Sequence, residues 1–148
     1  MRELSHKSSL KRQSANVFLC YSHRDQDAIH SLCARLKKDG VDVWLDRVKL
    51  LPGQNWEHEI RAAIIRSQVV IVCLSKRFHK QKGYRHEELK IALEKAALLP
   101  DNEIFIIPAR LEDCDSPDSL RHLHRVDLFE ANGYEKLMQA LRKQLATA

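Results

Sequence analysis

Polar and apolar positions along this chain fall into two kinds of block. Short runs that are apolar almost without interruption occupy residues 16–21, 41–45, 69–74 and 104–109, and a weaker one occupies 126–129. Runs of that length without alternation predict strands buried on both faces, as in the middle of a parallel sheet. Val69-Val70-Ile71-Val72 is the clearest of them, because β-branched residues fill it. Between these runs, apolar residues recur three and four apart. Ala28, Ile29, Leu32, Cys33 and Leu36 define one helix, which Lys37-Lys38-Asp39-Gly40 closes with cations and a left-handed glycine. Ile60, Ala63 and Ile64 define a second over residues 56–66, with Asn55 as N-cap and Glu57 and Glu59 in its first turn. Residues 84–99 form a third, and Leu137, Met138, Leu141 and Leu145 mark a last one over 134–145. Residues 75–83 read as a basic loop and 112–124 as irregular.

Strands and helices therefore alternate, which predicts an α/β fold: a five-stranded parallel sheet in a three-layer, flavodoxin-like sandwich, order 2-1-3-4-5, with helices on both faces. Ligands of such sheets bind outside the carboxyl ends of the strands, near the switch between strands one and three. Those ends carry Tyr21–Asp25, Asp46–Asn55 and Ser75–Glu88.

The third helix brings two adjacent carboxylates, Glu87 and Glu88, to that rim. Leu89, Ala92, Leu93 and Ala96 set its apolar face. At about 100° per residue the middle of that face lies roughly 90° from Glu88 and roughly 190° from Glu87. Glu87 is expected in solvent, Glu88 at the border of core and water, and Ile91 pointing away from the core. Tyr84, four residues before Glu88, would stack beside it.

Composition narrows the picture. At 44% hydrophobic and 30% charged, the chain suits one globular domain. Residues 1–15 are Ser- and Lys-rich with no apolar segment, which reads as a disordered basic tail and not as a secretory signal. Of the net charge of +5, that tail holds four cations against one carboxylate, leaving +2 for residues 16–148. The excess is not concentrated on a folded face, so nucleic-acid binding is not indicated. No apolar run approaches the ~20 residues of a membrane span. Cys20, Cys33, Cys73 and Cys114 have no CxxC spacing and read as free thiols of a cytoplasmic protein. No HxxxH or HExxH spacing points to a metal. GxGxxG, GxxxxGK[ST] and GxSxG are all absent from the sequence, which excludes Rossmann, P-loop and hydrolase-elbow chemistry. A receiver domain is excluded because strand three ends in Leu74-Ser75 with no acidic phosphoacceptor.

Six segments, in order, resemble the TIR (Toll/interleukin receptor) domain in its bacterial form. They are Val17–Ser22 with Asp25, Gly40–Asp46, Leu50-Leu51-Pro52-Gly53 leading into Trp56, Ile60–Ile64, Ser67–Ser75, and Tyr84–Leu89. The likeness spans about residues 15–145, making 16–148 a TIR domain. It implies an enzyme that cleaves NAD, as substrate and not cofactor, at the nicotinamide–ribose bond with one glutamate. By the family pattern that glutamate is Glu88, with Tyr84 as its aromatic partner. Trp56 would contact the nicotinamide side, and Ser22, Arg24, Asp46 and Lys49 would line the same rim. ADP-ribose and a cyclised ADP-ribose are both products consistent with the resemblance. It further implies activation by self-association through the loop Leu50, Leu51, Pro52 and Gly53, a role in bacterial antiviral defence, and a sensor domain or partner subunit outside this chain. The competing implication is a silent TIR scaffold that signals by binding other TIR domains.

Overall fold

Five short, β-branched or aromatic segments assemble as one parallel sheet, and the computed structural model describes residues 16–45, 51–80 and 84–146. Chain order is β1 (Asn16–Cys20), a 3-10 turn (His23–Asp25), α1 (Gln26–Lys38), β2 (Asp42–Leu45), α2 (Trp56–Arg66) and β3 (Val69–Leu74). There follow α3 (Lys76–Lys80), α4 (Tyr84–Ala96), β4 (Ile106–Arg110), a 3-10 turn (Asp118–Leu120), β5 (Val126–Asp127) and α5 (Gly133–Ala146). The sheet order is β2-β1-β3-β4-β5 with every pairing parallel, as the alternation of blocks predicts. The expected tail, residues 1–15, and the loop residues 46–50 lie outside the described residues. Among the described residues no helix is long and apolar enough to cross a membrane.

The sheet's double burial explains the unbroken apolar runs. Val69, Ile71 and Cys73 of β3 face one apolar layer with α1 and α5, while Val70, Val72 and Leu74 face a second with α2, α3 and α4. In the second layer Phe18 and Trp44 stack with ring centroids 5.2 Å apart. α1 ends as expected at Gly40, whose φ of +86° suits only a residue without Cβ. Gly40 N–H donates to Lys37 and Val41 N–H to Leu36, the paired bonds that close a helix on a left-handed residue.

Three expectations need correction. The stretch after β3 is not all loop, because Ser75 caps the short helix α3 and Phe78 anchors it in the second layer. β5 pairs over two residues only, Val126 and Asp127, though Leu128 N–H still donates to the Arg110 carbonyl. The third correction concerns α4, whose inward side is turned roughly 80° from the apolar stripe. Glu88, Leu89, Ile91 and Ala92 are all buried, Ile91 at 7% exposure, and Glu87, Lys90 and Glu94 are exposed. On the inward side the Lys95 ammonium donates to the carbonyls of Ile65 (2.5 Å) and Ser67 (2.7 Å) at the end of α2. That contact lies on the Glu88–Ile91–Ala92–Lys95 side and satisfies carbonyls a helix end leaves open.

Candidate functional site

The carboxyl rim begins with Ser22, which is buried and caps the 3-10 turn: its Oγ accepts from Arg24 N–H (3.3 Å), and its carbonyl accepts from Asp25 N–H. These bonds fold the chain sharply after β1 and leave the Arg24 side chain in solvent. Across the rim, Ser75 follows β3 and uses its one hydroxyl twice. Ser75 Oγ–H donates to Asp25 Oδ2 at 2.5 Å, and the same oxygen accepts from Phe78 N–H at 3.1 Å. Arg77 Nη1 donates to Asp25 Oδ1 (3.3 Å) and to the Arg24 carbonyl (3.1 Å). Asp25 is thereby held at 9% exposure between two loops fifty residues apart in sequence. Beneath it, Cys73 is inert as a nucleophile: burial first, and then the Asp25 charge, push its thiol well above the ordinary range.

Glu88 lies on α4, whose helix packs against β1 and α2. It is 2% exposed, deeper than the border position expected of it. The Lys95–Ile65 contact fixes the level of the two helices. Counting back, Glu88 lies about 10 Å and Trp56 about 13 Å from that contact along their axes, both toward the carboxyl rim. Trp56 opens α2 behind its N-cap Asn55, whose side chain accepts from His58 N–H (3.1 Å), and its ring is partly exposed. Glu88 and Trp56 thus stand on helices that pack on each other and on β1, and Ser22 lies two residues past the end of that strand. Tyr84 is the first residue of α4, four before Glu88, but its side chain lies outside the description. Asp46, Lys49 and Leu50 also lie outside the described residues.

The end of the loop that follows them is a tight turn. Gln54 N–H donates to the Leu51 carbonyl (3.1 Å), and Leu51 N–H donates to Gln54 Oε1 (2.7 Å). Pro52 and Gly53, with Gly53 at φ +91°, suit the two central positions. The Leu51 side chain does not tuck back onto the core: it is 67% exposed.

The sequence singled out neither the partners of Asp25 nor Phe78, whose ring lies in the second layer 6.5 Å from the His86 ring on α4. Only the Ser75-x-x-Phe78 spacing of an N-cap hinted at them. It also missed Arg110 at the end of β4, which donates to Asp127 through Nε (2.7 Å) and Nη2 (2.8 Å) and to Asp113 Oδ1 through Nη1 (3.0 Å). This cluster borders a cleft of about 800 Å³ shared with Arg121, His124 and Lys136. Glu88 does not line that cleft, and the buried guanidinium there is already committed to carboxylates. Among the described residues no group of three His, Cys, Asp or Glu side chains is placed to hold a metal.

A family model described as "TIR domain" matches residues 17–142. An "NAD(+) hydrolase TcpA" from a Theionarchaea archaeon is 32% identical over 88 residues, 57% of this chain. An uncharacterized protein, y4cD of Sinorhizobium fredii, is 30% identical over 115 residues, 76% of this chain. Both relatives are much longer, and the chain spans 27% and 18% of their respective lengths. Among solved structures, the TIR domain of the Toll-related receptor TRR-2 of Hydra magnipapillata superposes with a TM-score of 0.71 at 24% identity, covering 85% of this chain and 97% of that one.

Proposed function

The chain belongs to the TIR domain family, and on that premise we propose that it is an NAD glycohydrolase with Glu88 as its catalytic carboxylate. The observation that carries the reading is a glutamate almost fully buried at the carboxyl rim of a TIR sheet, on the helix that starts with Tyr84. The similarity to a protein named as an NAD(+) hydrolase supports the choice of substrate.

One carboxylate suffices for this bond. Glycoside hydrolysis usually needs a general acid because an alkoxide leaves poorly. In NAD the leaving group is a pyridinium that departs as neutral nicotinamide. The task left is to stabilise and orient an oxocarbenium-like ribose, which a carboxylate sheltered from water does by charge and by bonding the ribose hydroxyls. Water then gives ADP-ribose, and an adenine nitrogen gives a cyclised product. Trp56 would stack on the nicotinamide side, with Tyr84, Ser22, Arg24, Asp46 and Lys49 around it. The biological setting that follows is an effector of bacterial immunity, switched on by a sensor domain or partner subunit beyond this chain.

Concentrated protein incubated with NAD, with products separated by chromatography, is expected to release nicotinamide at a rate per protomer that rises with protein concentration. No release at any concentration would leave the alternative reading, a TIR scaffold acting through TIR–TIR contacts. The turn at Leu51 gives the concentration dependence a structural source, since an exposed leucine on a closed turn suits burial in a second protomer. Leu51→Asp should lower release by about tenfold or more at low protein concentration, the scale of one buried leucine's transfer energy of ~2 kcal/mol. Release equal to wild type at every concentration would remove the turn from the assembly.

A further inference from the structure

Glu88 carries its proposed chemistry on a helix whose start must be held relative to the strand ends, and one chain of contacts runs to it from the other side of the rim. Asp25 receives Ser75 Oγ–H at 2.5 Å and Arg77 Nη1 at 3.3 Å. Ser75 Oγ in turn accepts from Phe78 N–H, the N-cap bond of α3. At five residues α3 is too short to persist by itself, so its placement depends on that cap, on Arg77, and on the buried Phe78 side chain. Phe78 packs in the same layer as Leu89 and Ala92, which flank Glu88 on α4, and its ring lies 6.5 Å from that of His86.

We propose that Asp25 and Ser75 are positioning residues for Glu88: their hydrogen bond locks α3 to the turn after β1, so that Phe78 sets where the first turns of α4 stand. The inference rests on the NAD reading for its catalytic consequence, but not for its mechanical one. Asp25 itself makes no contact with the reacting bond in this scheme. The acceptor oxygen facing Ser75 is what matters, and the charge is secondary: an amide oxygen in the place of Oδ2 can still accept from Ser75, while the bond from Arg77 to Oδ1 is given up.

Two measurements on the full chain test it. In the first, nicotinamide release is compared for wild type, Asp25→Ala, Asp25→Asn and Ser75→Ala. Asp25→Ala and Ser75→Ala should lower kcat about tenfold or more with KM within about threefold, the signature of a misplaced reacting group. Asp25→Asn should restore kcat to within about threefold of wild type. In the second, amide hydrogen exchange is followed by mass spectrometry, which needs no activity. Asp25→Ala should raise exchange about tenfold in peptides covering the first turns of α4 and leave β4 and α5 as in wild type. Unchanged protection of α4 overturns the proposal, and so does faster exchange throughout the chain, which would make Asp25 a general stabiliser. A kcat unchanged in Asp25→Ala, or not recovered in Asp25→Asn, also overturns it. Wild type that releases no nicotinamide sinks the NAD reading alone, and the exchange experiment then still decides whether the lock holds α4.

Discussion

Glu88→Ala is expected to reduce nicotinamide release by about 10²–10³-fold or more while leaving the fold intact. The magnitude is that of removing one preorganised group aimed at transition-state charge. It should fall on kcat and kcat/KM together, because the ribose becomes cationic only as the nicotinamide leaves. The fold should survive because the substitution trims a buried polar side chain to a good helix former, and an alanine already fills the position one turn on, at Ala92. Glu87→Ala is the matched control, since that carboxylate is in solvent on the far side of the same helix. Chromatographic product analysis with circular dichroism on the same samples decides the matter. Full activity in folded Glu88→Ala protein would end the assignment, and an equal loss in Glu87→Ala would point to the helix rather than to one residue.

The second large effect is on stability, at the β5 edge of the sheet. Arg110 has a side chain only 9% exposed, and two parallel hydrogen bonds to Asp127 join β4 to the two-residue strand β5. Asp127→Ala leaves that guanidinium buried with Asp113, itself largely in solvent, as its remaining carboxylate. Breaking a buried pair from one side costs about 3 kcal/mol or more, or about 6–12 °C in Tm for a domain of this size. Replacing both partners with apolar residues, Arg110→Met with Asp127→Leu, should cost far less, because no charge is then stranded. A thermal unfolding series of the three proteins is the measurement, and Asp127→Ala within about 1 kcal/mol of wild type would show that water reaches the arginine after all.

The same pair sets an acid limb. The Arg110 hydrogen bonds, followed by opposing burial and then by the charges of Arg110 and Arg125, leave the Asp127 carboxyl below its ordinary value. The folded chain therefore binds that proton less readily than the unfolded chain does. The contribution is complete above the unfolded value of about 4 and is lost as pH falls through the lower folded one. Denaturant titrations between about pH 2 and 5 should show a shallower acid limb in the doubly substituted protein than in wild type.

Layered burial made most of the fold legible. Strands covered on both faces must be apolar at every position, and a run such as Val69–Leu74 suits little else. Local chemistry was equally readable at Gly40 and Asn55, where one residue type solves one backbone problem. The orientation of α4 was not readable. A helical wheel locates the inner side by averaging apolar positions, and here two polar residues, Glu88 and Lys95, sit on that side for reasons of their own. Ile91 looked outward for the same reason, although it is buried. Nor could the Asp25–Ser75 bond be inferred, because nothing local links residues on two different loops. Arg110 reads as the polar end of a strand until Asp127 is folded against it.

The turn at Leu51 has a consequence for how contact with any partner would be made. Its backbone is already closed at both ends by Gln54, so the chain there has few conformations left to lose. Ordering a free loop on association commonly costs more than one leucine returns. A turn shaped in advance surrenders little on docking, so even one aliphatic side chain retains most of its transfer energy as affinity. Contacts of that kind tend to be individually weak and quick to part. They make a protein sensitive to its own local concentration without committing it to a permanent complex.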